Sequence, residues 1–248
     1  GGVAFFGTIE DALKACLWLR SASRVLLVLA RIGCVSADEL YEQTRAIPWQ
    51  EHIGPDATIA VSAHGTNREL RNTQFSAMRV KDAICDELRA QTGTRPKVSK
   101  HRPDVQINVS IHAKKATIAI DLAGEPLHKR GYRQEGENVQ APLKEALAAG
   151  VLLMSPWARV VEGLRAGTLK PQDCVLIDPF CGGGTLVIEG AMMAADMAPG
   201  ILRDYWGFSG WRQFDPEVFA RLLAEADARL EAGLARMPRI VGSDIDPH

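Results

Sequence analysis

Apolar and polar residues alternate with a period of two along two neighbouring stretches near the middle of the chain. Residues 105–112 (VQINVSIH) place valine or isoleucine at every second position, and residues 118–122 (IAIDL) repeat the pattern. This alternation is typical of strands that bury one face. Only a few residues separate the two stretches, so they predict a β-hairpin.

Shorter helical patterns precede the hairpin. Thr8 with Asp11, and Ser36 with Glu39, have the spacing of a helix N-cap and the acidic residue three positions later. We expect a helix to begin at each pair. An apolar run typical of a strand follows each of them. Helices and strands in this order predict a small α/β module that ends near Gly124.

The stretch 72–93 (NTQFSAMRVKDAICDELRAQTG) predicts a longer helix within this module. Gly93 has the position of a glycine C-cap. Apolar residues recur along one side at helical spacing, which predicts a buried stripe. The residues of the predicted stripe are Phe75, Met78, Ala83, Ile84 and Leu88.

Residues 125–140 (EPLHKRGYRQEGENVQ) are polar and charged and contain glycine, and we interpret them as a linker. The predicted domains are therefore 1–124 and 125–248. A helix for which Pro142 suits the first turn follows the linker. Apolar residues that fall on one side of this helix are Leu143, Ala146, Leu147 and Val151.

The rest of the second domain predicts a strand, a crossover and a second strand. The first strand is CVLID at 174–178, and a helix is expected from Thr185 to about Ala195. Another helix is expected to start at Asp215-Pro216, and the stretch RIVGSDIDPH returns as a strand. This order is a βαβ unit and implies a parallel sheet.

The first of these strands runs into DPFCGGGT, the stretch with the most specific chemistry in the chain. Ligands of open parallel sheets bind beyond the carboxyl ends of the strands. Gly182, Gly183 and Gly184 permit positive φ and close approach of a ligand to the backbone, and the helix that starts at Thr185 offers free N–H groups to an anion. Asp244, at the end of the next strand, is placed to accept hydrogen bonds from ribose hydroxyls.

Several ligands are compatible with such a loop. It lacks the lysine of a triphosphate-binding loop, and its spacing is not the GxGxxG of nicotinamide-binding proteins. An acid beside a tight glycine loop favours an adenosine-containing ligand without a pyrophosphate, and S-adenosylmethionine fits. The alternative is a glycine-rich turn that binds nothing.

Two features of this domain have both a chemical and a structural interpretation. Cys181 could be a nucleophile, but no histidine is near it in sequence to activate a thiolate, so a small loop side chain is favoured. Trp206, Phe208 and Trp211 could stack on a base, although packing of this segment onto the sheet is favoured.

Composition limits the remaining possibilities. The 248 residues are 46% hydrophobic and 24% charged, with a net charge of −1, so global charge does not indicate a nucleic-acid partner. Five cysteines without a CxxC pair are typical of reduced thiols in a cytoplasmic protein. The six histidines do not have the spacing of metal ligands. The sequence contains no run of about 18 apolar residues, so it predicts no membrane-spanning helix.

Beyond these patterns, the chain resembles a family. The matching stretches, in the family's order, are LYEQTRAIPW, RNTQFSAMRVKDAI, PDVQINVSIHAKKATIAIDLAG, LHKRGYR, APLKEALAA, DPFCGGGTLVIEGAMMAADMAPG, WGFSGW and GSDID. They are similar to the bacterial large-subunit (23S) ribosomal RNA guanine-N2 methyltransferases. The resemblance implies an α/β protein in which a THUMP-containing RNA-binding module precedes the first part of a Rossmann-like class I methyltransferase domain.

The resemblance also implies roles for individual residues. It implies that S-adenosylmethionine is the cofactor, structured 23S ribosomal RNA the partner, and rRNA processing the context. The implied cofactor-binding residues are Asp178, Pro179, Cys181, Gly182, Gly184, Thr185 and the ribose-binding Asp244, with Ala141 and Pro142 on a helix that closes over the cofactor. The implied RNA-binding residues are Arg68, Arg71, Asn72, Arg79, Lys81, Lys114 and Lys115.

Two departures from the family pattern qualify the expected activity. The family has a further N-terminal segment that completes a ferredoxin-like half. Its catalytic motif Asn-Pro-Pro-Tyr, which holds the target amine and stacks on a flipped base, does not occur in this sequence. We therefore expect no catalytic residue within these 248 residues, no methyl transfer by this chain alone, and weak cofactor binding at most. The rivals are an adenine-N6 DNA methylase and a non-catalytic RNA-binding module.

Overall fold

A computed structural model describes residues 2–133 and 143–245. It contains the following helices: α1 (Ile9–Trp18), α2 (Ala37–Arg45), α3 (Thr73–Thr92), α4 (Glu145–Met154), α5 (Trp157–Arg165), α6 (Thr185–Ala194) and α7 (Pro216–Leu234). The strands are β1 (Leu26–Gly33), β2 (Thr58–His64), β3 (Lys97–Val98), β4 (Val105–His112), β5 (Lys115–Asp121), β6 (Val175–Asp178) and β7 (Arg239–Gly242).

The chain divides into two compact units that are interleaved in sequence. Unit 1 comprises Gly1–Ser23, Pro126–Asp204 and Pro216–His248, and unit 2 comprises Arg24–Glu125 and Tyr205–Asp215. The expected boundary at 124/125 lies one residue before a point at which the chain passes from unit 2 to unit 1, between Glu125 and Pro126. Two segments differ from the predicted domain limits. Residues 1–23 were expected in the first domain but group with most of the second, in unit 1, and residues 205–215 were expected in the second domain but group with most of the first, in unit 2.

Unit 2 is built on a mixed five-stranded sheet with the order β1-β5-β4-β2-β3. β4 and β5 form the predicted antiparallel hairpin, with His112 opposite Lys115. β2 runs parallel to both β4 and β3. The sheet buries the alternating apolar residues of the hairpin, including Ile107, Val109 and Ile118, so the period-two pattern correctly predicted its inner face.

Local capping in unit 2 follows the sequence. The Ser36 hydroxyl accepts from the Glu39 N–H at 3.1 Å and starts α2. Gly93 ends α3 in the left-handed region, with φ 76°. The predicted stripe of α3 is only partly buried: Ala83, Ile84 and Leu88 lie in the core, but Phe75 and Met78 are 46% and 56% exposed. The stripe was therefore wrong for the first turns of the helix.

Unit 1 contains α1, α4 to α7 and a two-stranded parallel sheet of β6 and β7. The side chains of Leu152, Trp157, Val161 and Met193 form a buried cluster between the helices, and partly buried residues of β6 and β7 pack against it. Thr8 caps α1 in a complete capping box with Asp11.

The strand–crossover–strand order of unit 1 matches the prediction. Thr185 and Pro216 begin α6 and α7 as expected. α4 begins at Glu145 and buries Ala148, Ala149 and Leu152, whereas Leu147 and Val151, on the apolar side that the sequence indicated, are 57% and 48% exposed.

Within the described residues, no single helix has the length and apolar character needed to cross a membrane; α4 and α5 meet those criteria only as a pair, which is bent by 78°.

Candidate functional site

The glycine loop leaves the end of β6 beside the end of β7. Because the two strands run parallel, they deliver their last residues to the same edge of the sheet. The Ser243 N–H donates to the Asp178 carbonyl at 2.9 Å, and the Cys181 N–H donates to the Ser243 carbonyl at 2.9 Å. The loop after the first strand and the acidic segment after the second are therefore joined by the backbone.

Both predicted acids lie at this edge. The Gly182 N–H donates to Oδ2 of Asp244 at 2.8 Å, which fixes the exposed Asp244 side chain against the glycine loop. Asp178 stays within the loop, where its Oδ1 accepts from the Phe180 N–H at 3.1 Å. The sequence predicted that Asp244 would lie near the glycines, and the structure brings the two together.

Two glycines of the loop need their conformational freedom. Gly182 and Gly184 have φ values of 51° and 72°, a region that L-residues with side chains seldom adopt. A Cβ built on Gly182 would meet no heavy atom within 4 Å, so open space borders the backbone there. Gly184 is the N-cap of α6 and has no side chain with which to cap it, which leaves the first N–H groups of the helix available to an anionic ligand.

Pro179 and Cys181 are the next predicted cofactor residues along the loop. The Pro179 carbonyl accepts from the Ser243 hydroxyl at 3.3 Å. A Cβ on Gly242 would lie 3.1 Å from the Cys181 sulfur, so this side chain packs against the end of β7, as a small structural side chain would. Ala141 and Pro142 lie outside the described residues.

Arg133 reaches the start of α6 from the segment that precedes α4. Its guanidinium donates to the Thr185 hydroxyl and forms an ion pair with Glu145 at 2.9 Å. Thr185 is buried, with 4% of its surface exposed. Sequence reasoning missed this contact because 52 residues separate Arg133 from Thr185; the only signal was the presence of Arg133 in the family stretch LHKRGYR.

One turn further along α6, a second arginine forms a fully buried ion pair. Arg130 Nε lies 3.1 Å from Glu189 Oε1, and both side chains are at most 1% exposed. The same guanidinium donates to the carbonyls of Leu127, at 2.8 Å, and Arg20, at 2.6 Å. These bonds satisfy the buried charges and attach the LHKRGYR segment along α6, from Glu189 back to Thr185.

The predicted RNA-binding residues of unit 2 do not form one cluster. Asn72 is the N-cap of α3, and its Oδ1 accepts from the N–H groups of the next turn. Arg79 pairs with Asp38 at 2.7 Å, and Lys81 pairs with Asp82 at 2.8 Å. These side chains therefore have structural partners within α2 and α3.

The other four predicted RNA-binding residues are exposed. Arg68 and Arg71 lie on the loop before α3, and Lys114 and Lys115 lie at the tip of the β4–β5 hairpin. The loop and the tip meet through Cys34, whose carbonyl accepts from Asn67 Nδ2 at 2.6 Å. The Cys34 N–H in turn donates to the Lys114 carbonyl at 2.8 Å.

The aromatic segment 205–215 packs into unit 2. Trp206, Phe208 and Trp211 are 7%, 0% and 2% exposed, which agrees with the favoured interpretation that they pack rather than stack on a base. Trp211 Nε1 donates to His52 Nδ1 at 3.2 Å, and burial lowers the pKa of His52.

Among residues 2–133 and 143–245, no group of three or more histidine, cysteine or acidic side chains is arranged to hold a metal ion. All five cysteines are free thiols.

Family models match almost the whole chain. Residues 1–26 match an RlmL ferredoxin-like domain, residues 34–121 a THUMP domain, and residues 130–248 an RMKL-like methyltransferase domain. Two relatives are named ribosomal RNA large subunit methyltransferase K/L. The chain is 46% identical to the one from Syntrophotalea carbinolica, over 99% of this chain and 33% of that protein. It is also 46% identical to the one from Methylococcus capsulatus, over 99% of this chain and 32% of that protein. The chain therefore spans about a third of the length of these relatives.

Solved structures are similar over a larger share of their length. A predicted N6-adenine-specific DNA methylase from Listeria monocytogenes is 29% identical, with a TM-score of 0.79 over 97% of this chain and 58% of that one. SMU.472, a putative methyltransferase complexed with SAH, is 29% identical, with a TM-score of 0.78 over 97% of this chain and 59% of that one.

The interleaved α/β fold, the matched models and these relatives agree with the resemblance seen in the sequence. The chain therefore contains a THUMP domain at residues 34–121, followed by an RMKL-like methyltransferase domain at residues 130–248.

Proposed function

We propose that the chain is part of an S-adenosylmethionine-dependent methyltransferase that modifies large-subunit ribosomal RNA, and that the methylated group is the exocyclic N2 amine of a guanine. The names of the relatives support the RNA substrate. The observation that carries the cofactor assignment is the bare backbone at Gly182, with open space beside it and the Asp244 carboxylate bound to its N–H.

The residues at this edge fit the parts of the cofactor. The free N–H groups at the start of α6 suit the carboxylate of the methionine moiety, and the exposed Asp244 carboxylate suits ribose hydroxyls. When bound, the cofactor supplies an electrophilic methyl group on a sulfonium. The contribution of the chain is to position that group for in-line attack, and the Arg133–Thr185 contact holds the first turn of α6 in place.

The cofactor assignment is tested by titration calorimetry with S-adenosylhomocysteine. Because the chain alone is expected to bind the cofactor weakly at most, the titration uses a chimera in which the 248 residues replace the corresponding third of the Syntrophotalea carbinolica relative. We expect Asp244→Ala to weaken binding at least tenfold, because both the ribose acceptor and the clamp on the Gly182 N–H are lost. Asp56→Ala, at an exposed acid of unit 2, is the control and leaves the affinity unchanged. Equal affinity of the wild type and Asp244→Ala would remove Asp244 from the site.

Activity is tested in a chimera, because the motif expected to hold the target amine does not occur in this chain. The 248 residues replace the corresponding third of the Syntrophotalea carbinolica relative, and labelled S-adenosylmethionine is offered with undermodified ribosomal RNA or with DNA. N2-methylguanosine in the digested RNA is the expected product. The chain alone is expected to transfer no methyl group.

The same assay tests the second candidate, adenine-N6 methylation of DNA, which the description of the Listeria monocytogenes protein favours. N6-methyladenine in the DNA, without modified RNA, would replace the RNA proposal with this one.

A further inference from the structure

The first two turns of α3 expose an apolar surface that the fold of unit 2 does not use. Phe75 and Met78 are 46% and 56% exposed, and their separation by three residues puts them on the same side of the helix. The opposite side of α3 is in the core, with Val80 and Ile84 fully buried. Single exposed apolar residues are common, but a ring and a thioether side by side form a small flat surface.

Positive charge precedes this surface in the chain. Arg71 lies immediately before the Asn72 cap, and its Nε donates to the Arg68 carbonyl at 2.9 Å, so both arginines belong to one turn. Asn72 Oδ1 accepts from the Phe75 N–H at 3.1 Å, which fixes the backbone of Phe75 in the first turn of the helix. Glu69, between the arginines, contributes one exposed negative charge to the loop.

Hydrogen bonds to the Asn67 side chain hold the backbone of the loop that carries the arginines. Asn67 Oδ1 accepts from the N–H groups of Glu69, at 3.0 Å, and Leu70, at 2.8 Å, and Leu70 is buried. Gly65 lies so close to the end of β4 that a Cβ would be 2.1 Å from the Ile111 carbonyl oxygen. The loop backbone that carries the arginines is therefore ordered before any partner binds, which lowers the ordering cost of binding.

Arg79 does not join this surface. Its guanidinium is paired with Asp38 and lies 4.3 Å from the centroid of the Tyr41 ring, so it connects α3 to α2. The arginines of the 67–71 loop come directly before the helix that carries Phe75. An exposed ring that follows arginines in this way matches single-stranded nucleic acid, in which each unpaired base offers a face for stacking and each phosphate a negative charge.

We propose that Phe75, with Met78 beside it, is a stacking platform for an unpaired RNA base, and that Arg68 and Arg71 bind the phosphates that flank this base. This proposal rests on the proposed RNA substrate and goes beyond it: it assigns unit 2 a contact with a base as well as with phosphates, and so a preference for unpaired over duplex RNA.

The test measures binding of a fluorescein-labelled single-stranded RNA dodecamer, and of the same strand annealed to its complement, by fluorescence anisotropy without cofactor. Phe75→Ala is expected to weaken binding of the single strand about tenfold and to leave duplex binding unchanged. Phe75→Leu, which keeps apolar bulk but removes the ring, shows a similar loss. Phe75→Tyr restores binding.

Two controls separate stacking from charge and from folding. Arg68→Gln and Arg71→Gln each lower the salt dependence of binding, whereas Phe75→Ala leaves that dependence unchanged. Phe6→Ala removes another exposed ring, in unit 1, and leaves RNA binding unchanged. All variants are expected to fold, which a thermal melt checks, because each substituted side chain is at least partly exposed.

Three outcomes would overturn the proposal. The first is single-strand binding by Phe75→Leu that equals the wild type, and the second is an equal loss of single-strand and duplex binding in Phe75→Ala. Either would refute the platform but leave the RNA substrate standing. The third, a wild-type chain that binds neither RNA, would refute the proposed substrate itself, which the methyl-transfer assay tests independently.

Discussion

Substitution of Gly182 by alanine separates the cost of folding from the cost of losing a ligand. The residue has φ 51°, and a Cβ there would meet no heavy atom within 4 Å. The only cost to the folded protein is then that of an L-residue in the left-handed region, about 1–2 kcal/mol. The added methyl group, however, would fill the space into which we expect the cofactor to press.

Gly167 provides a matched control within unit 1. It also has a positive φ, 70°, and a Cβ built on it would likewise meet nothing within 4 Å. It follows α5, outside the glycine loop. Gly167→Ala should therefore lower the free energy of unfolding by the same ~1–2 kcal/mol without affecting the ligand.

The measurements are urea unfolding of the chain for stability and titration calorimetry of the chimera with S-adenosylhomocysteine for affinity. We expect equal losses of stability in the two variants, and a loss of affinity of at least about tenfold, equivalent to ~1.4 kcal/mol, only in Gly182→Ala. Wild-type affinity in Gly182→Ala would show that no ligand approaches this backbone. An equal loss of affinity in Gly167→Ala would show that the effect arises from folding.

Three further predictions concern contacts within a single unit. Glu189→Ala leaves the buried Arg130 charge without its carboxylate, so denaturant titration should show a loss of about 3–5 kcal/mol; a loss below 1 kcal/mol would contradict the buried pair. Gly207→Ala places a Cβ 2.3 Å from the Asp121 carbonyl oxygen, so a thermal melt should show destabilisation of about 1–3 kcal/mol. Gly207 lies within the matched methyltransferase region but packs in unit 2, and a wild-type melt would contradict that assignment of segment 205–215. Burial lowers the pKa of His52, so the unfolded chain binds more protons, and stability should fall as the pH drops below about 6.5. Thermal melts should show a smaller acid-induced loss in His52→Gln than in the wild type, and equal losses would assign the titration to other groups such as His128, whose pKa burial also lowers.

The sequence by itself determined the features that depend on a few consecutive residues. The capping box at Thr8, the left-handed C-cap at Gly93 and the strand–glycine loop–helix unit that starts α6 at Thr185 are all present as expected. Each of these depends on local backbone geometry and on hydrogen bonds within one turn. The parallel pairing that brings Asp244 to Gly182 was also predictable, because a βαβ crossover imposes it.

Periodicity predicted apolar sides of helices but not what those sides would contact. Phe75 belongs to the apolar stripe of α3 and Leu147 to the apolar side of α4, yet both are about half exposed. A 3.6-residue repeat shows that apolar residues share a side; whether another element covers that side depends on the path of the rest of the chain.

Only the tertiary structure decided the contacts between residues far apart in sequence. Segment 205–215 packs with unit 2 although its neighbours on both sides belong to unit 1. Arg133 meets Thr185, and Arg130 meets Glu189, across more than 50 residues. No local pattern encodes such contacts, because burial and charge pairing are satisfied by whichever residues the completed fold brings together.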